Sequence, residues 1–360
     1  MKKQLQIFFD FLRFCIGSAV EIPDSLKEVD WKELYAIAQK QCLAGILFDG
    51  IKKLPAEHVG MKKELLLQWM AESQMLEKAN ARLNVAAIQV SEWFRKKGFR
   101  TCILKGQGNA LMYPNPYSRT PGDIDIWVEG GDKRVISFVR SISPHEKACY
   151  HHIEFPSYKG VEVEVHYRPS FLLCFWHNRK LQKYYERVKE EQFSHRVMLG
   201  EQGEIVIPTV EFNLIFQLTH IFSHLMNEGI GLRQLVDYYF VLSMLSVNSE
   251  MLTSLQKELK ELGLWKFAGA IMYIMQEVFG MPASRLIVPP NEKYGKFVLN
   301  EVLEAGNFGK HDARNRFGRS QLGHNLQRVY RDIRLVRFFP LEALSEPLFR
   351  VWHFFWRKSI

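Results

Sequence analysis

One short run sets two charges against the fold that carries them. In "GDIDIWV", Gly122 to Val128, carboxylates at Asp123 and Asp125 alternate with apolar side chains in a stretch that otherwise reads as a buried strand. Successive side chains on a β-strand leave opposite faces, so Asp123 and Asp125 share one face and Ile124 and Ile126 the other. The neighbouring sequence supplies more of the same unit. "FRTCILKG" reads as a strand ending at Gly106 and "GNALMYP" as a short helix stopped by Pro114, followed by a loop containing Pro114, Pro116 and Pro121. "DKRVISFVRSIS" returns to helical spacing until Pro144, and "YHHIEFPSYKGVEVEVHYRP" supplies two strands that pair as a hairpin around "SYKG", with Gly160 in the turn.

In "VEVEVHY" the same alternation puts Glu162, Glu164 and His166 on one face and Val161, Val163, Val165 and Tyr167 on the other. Placed beside the aspartate strand, this face gathers three or four carboxylates. Such a cluster repels itself unless a cation sits in it, and hard oxygen donors with no cysteine nearby suit Mg²⁺ or Mn²⁺. Magnesium keeps positions for water and substrate phosphate, so a phosphate-bearing substrate is the natural partner. Gly106 and Gly108 in "LKGQGNA" break the first strand where a helix opens, and free backbone amides there favour an anion. Lys105 and Arg119 flank that turn and can add positive charge toward a triphosphate, with a surface charge or an ion pair as the plainer reading of each.

The order of glycine turn, helix, Asp-x-Asp strand and a later strand with an inward carboxylate resembles the DNA polymerase beta-like nucleotidyltransferase superfamily. Within it, "ILKG", "YPNPYSRTPGDIDIWV" and "VEVEVHY" resemble the bacterial family of uncharacterised nucleotidyltransferases. The run from Arg119 through "GDIDI" also resembles aminoglycoside and lincosamide nucleotidyltransferases. The motif-bearing part spans residues 99–168. The resemblance implies an α+β fold: a polymerase beta-like nucleotidyltransferase core, a small mixed sheet with helices, flanked by N-terminal and C-terminal helical regions. It implies that Asp123, Asp125 and Glu164 are catalytic and hold the metal, with Glu162 as an alternative third acid. It also implies that Lys105, Gly106, Gly108, Arg119 and Gly122 form the nucleotide site. The implied reaction moves a nucleoside monophosphate from an NTP to the hydroxyl of a small molecule, a protein or an RNA. The chain departs from the superfamily at the turn, where Lys105-Gly106-Gln107 stands in place of the common Gly-Ser pair. The third acid is glutamate where aspartate is commoner.

The remainder divides into helical flanks: residues 1–97, a nucleotidyltransferase core at 98–204, and a helical domain with a basic aromatic tail at 205–360. In the first, "QLQIFFDFLRF" is an amphipathic helix, Asp30 is a candidate N-cap for the helix that follows, and Gly98 closes a long helix. At 360 residues and 47% hydrophobic the chain can bury a large core, and it has no apolar run of the ~18 residues that cross a bilayer. Its five cysteines are scattered, without a CxxC pair, so they suggest neither a disulfide framework nor a zinc knuckle, and a reducing cytoplasm fits best.

The formal charge is +9, and residues 310–360 carry eleven Lys or Arg against four Asp or Glu. Arg328, Arg331, Arg334 and Arg337 recur at three-residue steps, a basic stripe on a helix that suits an anionic partner. The aromatic ending "LFRVWHFFWRK" reads first as a last helix docking on the core. His220 and His224, four apart on one helix, lack an HExxH glutamate and read as cleft lining or packing. His151 and His152 are adjacent, so on a strand they face opposite ways and cannot chelate together. Arg233 and Asp237 read as an i,i+4 ion pair, or as residues facing an acceptor pocket. Two other classes compete with the enzyme: a catalytically silent nucleotide- or partner-binding member, favoured by the absent Gly-Ser pair, and a basic RNA-binding module, favoured by the tail charge.

Overall fold

The computed structural model describes residues 2–246, 248–314 and 321–360. The chain opens with helices α1 (Lys2–Ile16), α2 (Trp31–Lys40), α3 (Ala44–Lys52) and α4 (Lys63–Lys96). The helical spacing of α1 buries Phe8, Phe11 and Leu12 completely. The Asp30 carboxylate accepts from the backbone N–H groups of Lys32 and Glu33, the N-cap its position predicts. Gly98, at φ +81°, ends the turn after α4 in a conformation open to glycine.

The sheet follows, in β1 (Thr101–Leu104), the short helix α5 (Gly106–Ala110), β2 (Ile124–Val128), α6 (Gly131–Ile142), β3 (His152–Tyr158) and β4 (Val161–His166). Its strand order is β1-β2-β4-β3, with β2 and β4 parallel and the outer pairs antiparallel. The hairpin joining β3 to β4 turns on Lys159 and Gly160, both at positive φ, which matches the right-handed strand twist. Ile124, Ile126, Val163 and Val165 form a continuous apolar face. Leu83, Ala87, Val90 and Phe94 of α4 and Val135, Ile136 and Val139 of α6 pack in the same cluster. Burying that face sends Asp125 and Glu164 to the other.

The chain continues through α7 (Phe175–Gln192) and a small hairpin, β5 (Arg196–Met198) with β6 (Glu204–Val206), whose three-residue strands are too short to show a period in sequence. Then come α8 (Val210–Asn227), α9 (Leu232–Met244), α10 (Ser249–Glu261), α11 (Trp265–Glu277), α12 (Glu292–Ala305), α13 (Gln321–Val336) and α14 (Pro340–Ser359). Residues from both ends of the chain share one apolar cluster, in which Phe8, Leu12 and Trp69 join Phe216, Tyr238 and Phe267. Arg13 donates to the backbone carbonyl of Val278, 3.1 Å away, and ties α1 to the end of α11.

The basic stripe on α13 is divided between two uses. Arg331 donates to the carbonyls of Asn227 and Glu228, and Arg334 pairs with Glu301 at 3.2 Å. Arg328 and Arg337 are exposed, while Arg316 and Arg319 of the tail lie outside the described residues. Helix α14 docks as its sequence predicts, burying Ala343 and Phe349. Its Glu342 accepts from the backbone N–H groups of Leu173 and Cys174 at the start of α7, where a carboxylate complements the helix terminus. The opposite side of α14 exposes Leu341, Leu344, Leu348, Val351 and Phe355. No helix among the described residues is long and apolar enough to cross a membrane.

Asp332 on α13 is a strained acid. Burial first, and the Glu346 charge second, push its carboxyl from 3.8 to about 7. Its Oδ2 has no hydrogen-bond partner among the described residues. A carboxyl raised in the fold is disfavoured as pH climbs from its unfolded value through the folded one, so its cost is greatest above about pH 7. Asp332→Asn is therefore expected to raise the melting temperature more at pH 8 than at pH 4.5. Equal gains at both pH values in thermal denaturation would remove the charge from the explanation.

Candidate active site

The parallel register of β2 and β4 sets Asp125 directly opposite Glu164 and Trp127 opposite His166. Both acids open, with Asp123 just before β2, into a cavity of about 480 Å³. The sheet end forms its floor, His220 and His224 of α8 and Arg233 of α9 one wall, and the inner face of α13–α14 another. Lys105, Gly106, Arg119, Gly122, Asp123, Asp125 and Glu164, all singled out in the sequence, line it. Two of the residues singled out do not. Glu162 is exposed outside the cavity: it shares Glu164's face but lies nearer the start of β4, and the cavity meets only the other end. Gly108 is buried, and a Cβ on it would come 3.1 Å from the Ile207 side chain, so its bareness serves packing.

Asp125 is 3% exposed and accepts from two cations, Lys105 Nζ and His166 Nε2, each 2.9 Å from Oδ1. Burial alone would raise its carboxyl, but Lys105 and His166 outweigh burial and hold it well below the usual carboxylate range. His166 is 2% exposed; burial opposes its charge, yet hydrogen bonds to Asp125 and Glu164 push it up to about 9. Glu164 Oε2 lies 3.4 Å from His166 Nε2, and that contact brings its carboxyl down against burial. Asp123 moves the other way, to about 6, from the Asp125 charge first and burial second. Two neighbouring carboxylates thus differ in proton affinity because only one of them holds the cations.

Lys105 carries the strain of the turn. It sits at φ 50°, ψ −136°, a region that disfavours side chains and costs ~1–3 kcal/mol, and Gly106 follows at φ +40°. The expected helix opening at this turn is only the five residues of α5, too short for its dipole to add much. The positive charge comes instead from Lys105 Nζ, which also donates to His220 Nε2 at 3.1 Å. Burial, then Lys105, keeps His220 neutral, with its pKa far below the usual value.

Arg119 reaches the cavity wall with its charge already engaged. Its Nε and Nη2 each lie 2.8 Å from one oxygen of Asp237, and Tyr113 Oη donates to the same carboxylate at 2.5 Å. Arg119 is 4% exposed and Asp237 5%. Asp237 is thereby drawn away from the i,i+4 pair expected with Arg233. Arg233 instead donates to the carbonyls of Thr120 and Pro121 at 3.2 and 3.4 Å, and its Nε is buried with no partner among the described residues. Packing makes this exchange possible: a Cβ on Gly45 of α3 would collide with the Ser118 carbonyl, so glycine there lets the loop carrying Arg119 settle against the helix.

The histidines correct a second expectation. His151 and His152 both face the cavity, with His151 Nε2 and His152 Nδ1 3.1 Å apart. β3 begins only at His152, so strand alternation does not govern His151. Burial, then His166, lowers His152 to about 4, which makes its 3.5 Å approach to Glu164 Oε2 a contact of a neutral ring.

A small mixed sheet with helical flanks, and acids of adjacent strands beside a glycine turn, defines a nucleotidyltransferase-type α+β protein. The chain belongs to the family described as "Uncharacterised nucleotidyltransferase", which its residues 27–280 match. Among solved structures it is similar to an antigenic nucleotidyltransferase-like protein from Paracoccidioides brasiliensis, at 13% identity and a TM-score of 0.34, over 62% of this chain and 97% of that one. No curated protein matches it.

Proposed function

We propose that this protein is a metal-dependent nucleotidyltransferase that moves a nucleoside monophosphate from an NTP to a hydroxyl acceptor. The observation that carries the reading is the convergence of Asp123, Asp125 and Glu164 on one cavity that also presents Lys105 and Arg233. The donor set fits a divalent cation, because ligand atoms of Asp125, Glu164 and His166 all lie within 4.8 Å of one another. Bound there, Mg²⁺ or Mn²⁺ supplies Lewis-acid stabilisation of charge on the phosphates. Lys105 and Arg233 bind the triphosphate, Lys105 as a point charge and Arg233 as a planar donor. Glu164, half-open to the cavity, accepts the proton of the acceptor hydroxyl. Gly106 and Gly122 leave the backbone open to the nucleotide.

A second reading, a silent nucleotide- or partner-binding member, draws on one observation: Lys105 and His166 already neutralise Asp125 without a metal. A bare RNA-binding role loses support because Arg331 and Arg334 are engaged internally.

Calorimetric binding of non-hydrolysable NTPs, with and without Mg²⁺ or Mn²⁺, tests the proposal. Binding is expected to need metal and to vanish in Asp123→Ala/Asp125→Ala. Lys105→Ala and Arg233→Ala are each expected to weaken it by ~10–100-fold, the loss of one charge-assisted hydrogen bond or two. Metal-independent binding of equal strength in all variants would favour the silent member instead.

A further inference from the structure

We infer that His166 is itself a ligand of the divalent cation, so that the site takes a borderline transition ion in preference to Mg²⁺. The inference rests on the cation site proposed above and deepens it. An ion bound at ~2.1 Å from each donor sets neighbouring donors about 3.0–3.4 Å apart. The spacings Asp125 Oδ1–His166 Nε2 and His166 Nε2–Glu164 Oε2 are 2.9 and 3.4 Å, and ligand atoms of these three residues all lie within 4.8 Å of one another. His166 Nε2 is the shared vertex, and the proton it holds against Asp125 leaves as the ion binds. The far nitrogen of His166, Nδ1, faces the Arg168 carbonyl at 3.4 Å, the outer contact that fixes ring orientation in metal-bound histidines. Imidazole is a good donor for Zn²⁺, Co²⁺ or Fe²⁺ and a poor one for Mg²⁺, which prefers oxygen throughout. A site of two carboxylates and one imidazole therefore discriminates against magnesium.

The test needs no nucleotide and no turnover. Co²⁺ titrated into the wild-type protein is expected to bind at least ~100-fold more tightly than Mg²⁺, and Mn²⁺-loaded protein is expected to show nitrogen hyperfine coupling by pulsed electron paramagnetic resonance. His166→Gln is expected to lose the coupling and weaken Co²⁺ at least ~10-fold, while Mg²⁺ affinity changes little. The wild-type spectrum stands even if that variant misfolds. Absence of nitrogen coupling, or equal affinity for Co²⁺ and Mg²⁺, overturns the inference and makes His166 only a partner of Asp125. That result would leave the proposed function standing; failure to bind nucleotide with any ion would remove the function while leaving the metal result intact.

The outer face of α13–α14 stands apart from the cavity chemistry. We propose that it lies on an anionic membrane surface. Leu341, Leu344, Leu348, Val351 and Phe355 are each 60–65% exposed and form one stripe along α14 at three- and four-residue steps. Exposed Leu326, Val329 and Ile333 continue it on α13. The exposed ionic residues beside this stripe are Arg357 and Lys358 on α14 and Arg337 in the turn between the helices, Arg328 facing the cavity instead, with no exposed Asp or Glu among the described residues of the two helices. An apolar stripe flanked only by positive charge complements acidic headgroups and repels a second copy of itself. Flotation with vesicles of phosphatidylcholine alone, or mixed with phosphatidylserine, is the test. Binding only to the mixed vesicles, lost in Leu344→Glu/Leu348→Glu with an unchanged melting temperature, is expected. No vesicle binding, or a concentration-dependent dimer that the same variant dissolves, overturns the assignment.

Discussion

Asp125→Asn is expected to lower nucleotidyl transfer by ~10³-fold or more while the protein stays folded. The side chain keeps its shape and one hydrogen-bond acceptor, so packing in the buried strand changes little. What disappears is the charge that Lys105 Nζ and His166 Nε2 now share at 2.9 Å. Lys105 is 17% exposed through the cavity and can be hydrated there, and His166 can release its proton, so neither cation is stranded. The cation, on the proposed function, loses its most firmly ionised carboxylate. Asp123 ionises more readily once the Asp125 charge is gone, but its carboxylate is not among the donor atoms of Asp125, Glu164 and His166 that gather within 4.8 Å of one another, so it does not replace the lost ligand. Single-turnover transfer from a labelled NTP, once the calorimetry has named the base, measures the loss. Activity within tenfold of wild type would move catalysis away from this cluster.

Arg119→Ala is expected to be among the most destabilising single changes in the chain, at about 3–5 kcal/mol in urea unfolding. It removes the guanidinium from a fully enclosed carboxylate, and Asp237 is then left with Tyr113 as its remaining strong donor. Burial would raise the Asp237 carboxyl, and Arg119 is the main influence that keeps it below its ordinary value. Asp237→Ala should cost a similar amount from the other side. The double variant Arg119→Met/Asp237→Leu should cost clearly less than the two single losses together, since it buries no unpaired charge. A loss under about 1 kcal/mol for Arg119→Ala would mean water reaches the pair and the loop is held by other contacts.

Much of this arrangement was legible in the sequence. The Asp-x-Asp strand, the hairpin on Gly160, the Asp30 cap and the long helix closed at Gly98 are where the residues put them. Choosing Glu164 over Glu162 was not, since alternation sends both to one face and says nothing of where along the strand a cavity opens. His151 and His152 were misread because the strand begins between them.

Alternation and helical period are imposed by covalent geometry over a few residues, so the sequence alone determined which side chains share a face and where turns must fall. Partner choice among charges is a matter of distance across the fold. Asp237 lies four residues from Arg233 in the chain, yet the nearer guanidinium in space is that of Arg119, 118 positions away, and it takes the carboxylate. The tertiary structure decided in the same way that Lys105 meets Asp125 and His220, that two of the tail arginines turn inward, and that imidazoles stand beside the carboxylates. Each of these is settled by packing between segments far apart in sequence, where Coulomb attraction and desolvation act on positions no local pattern records.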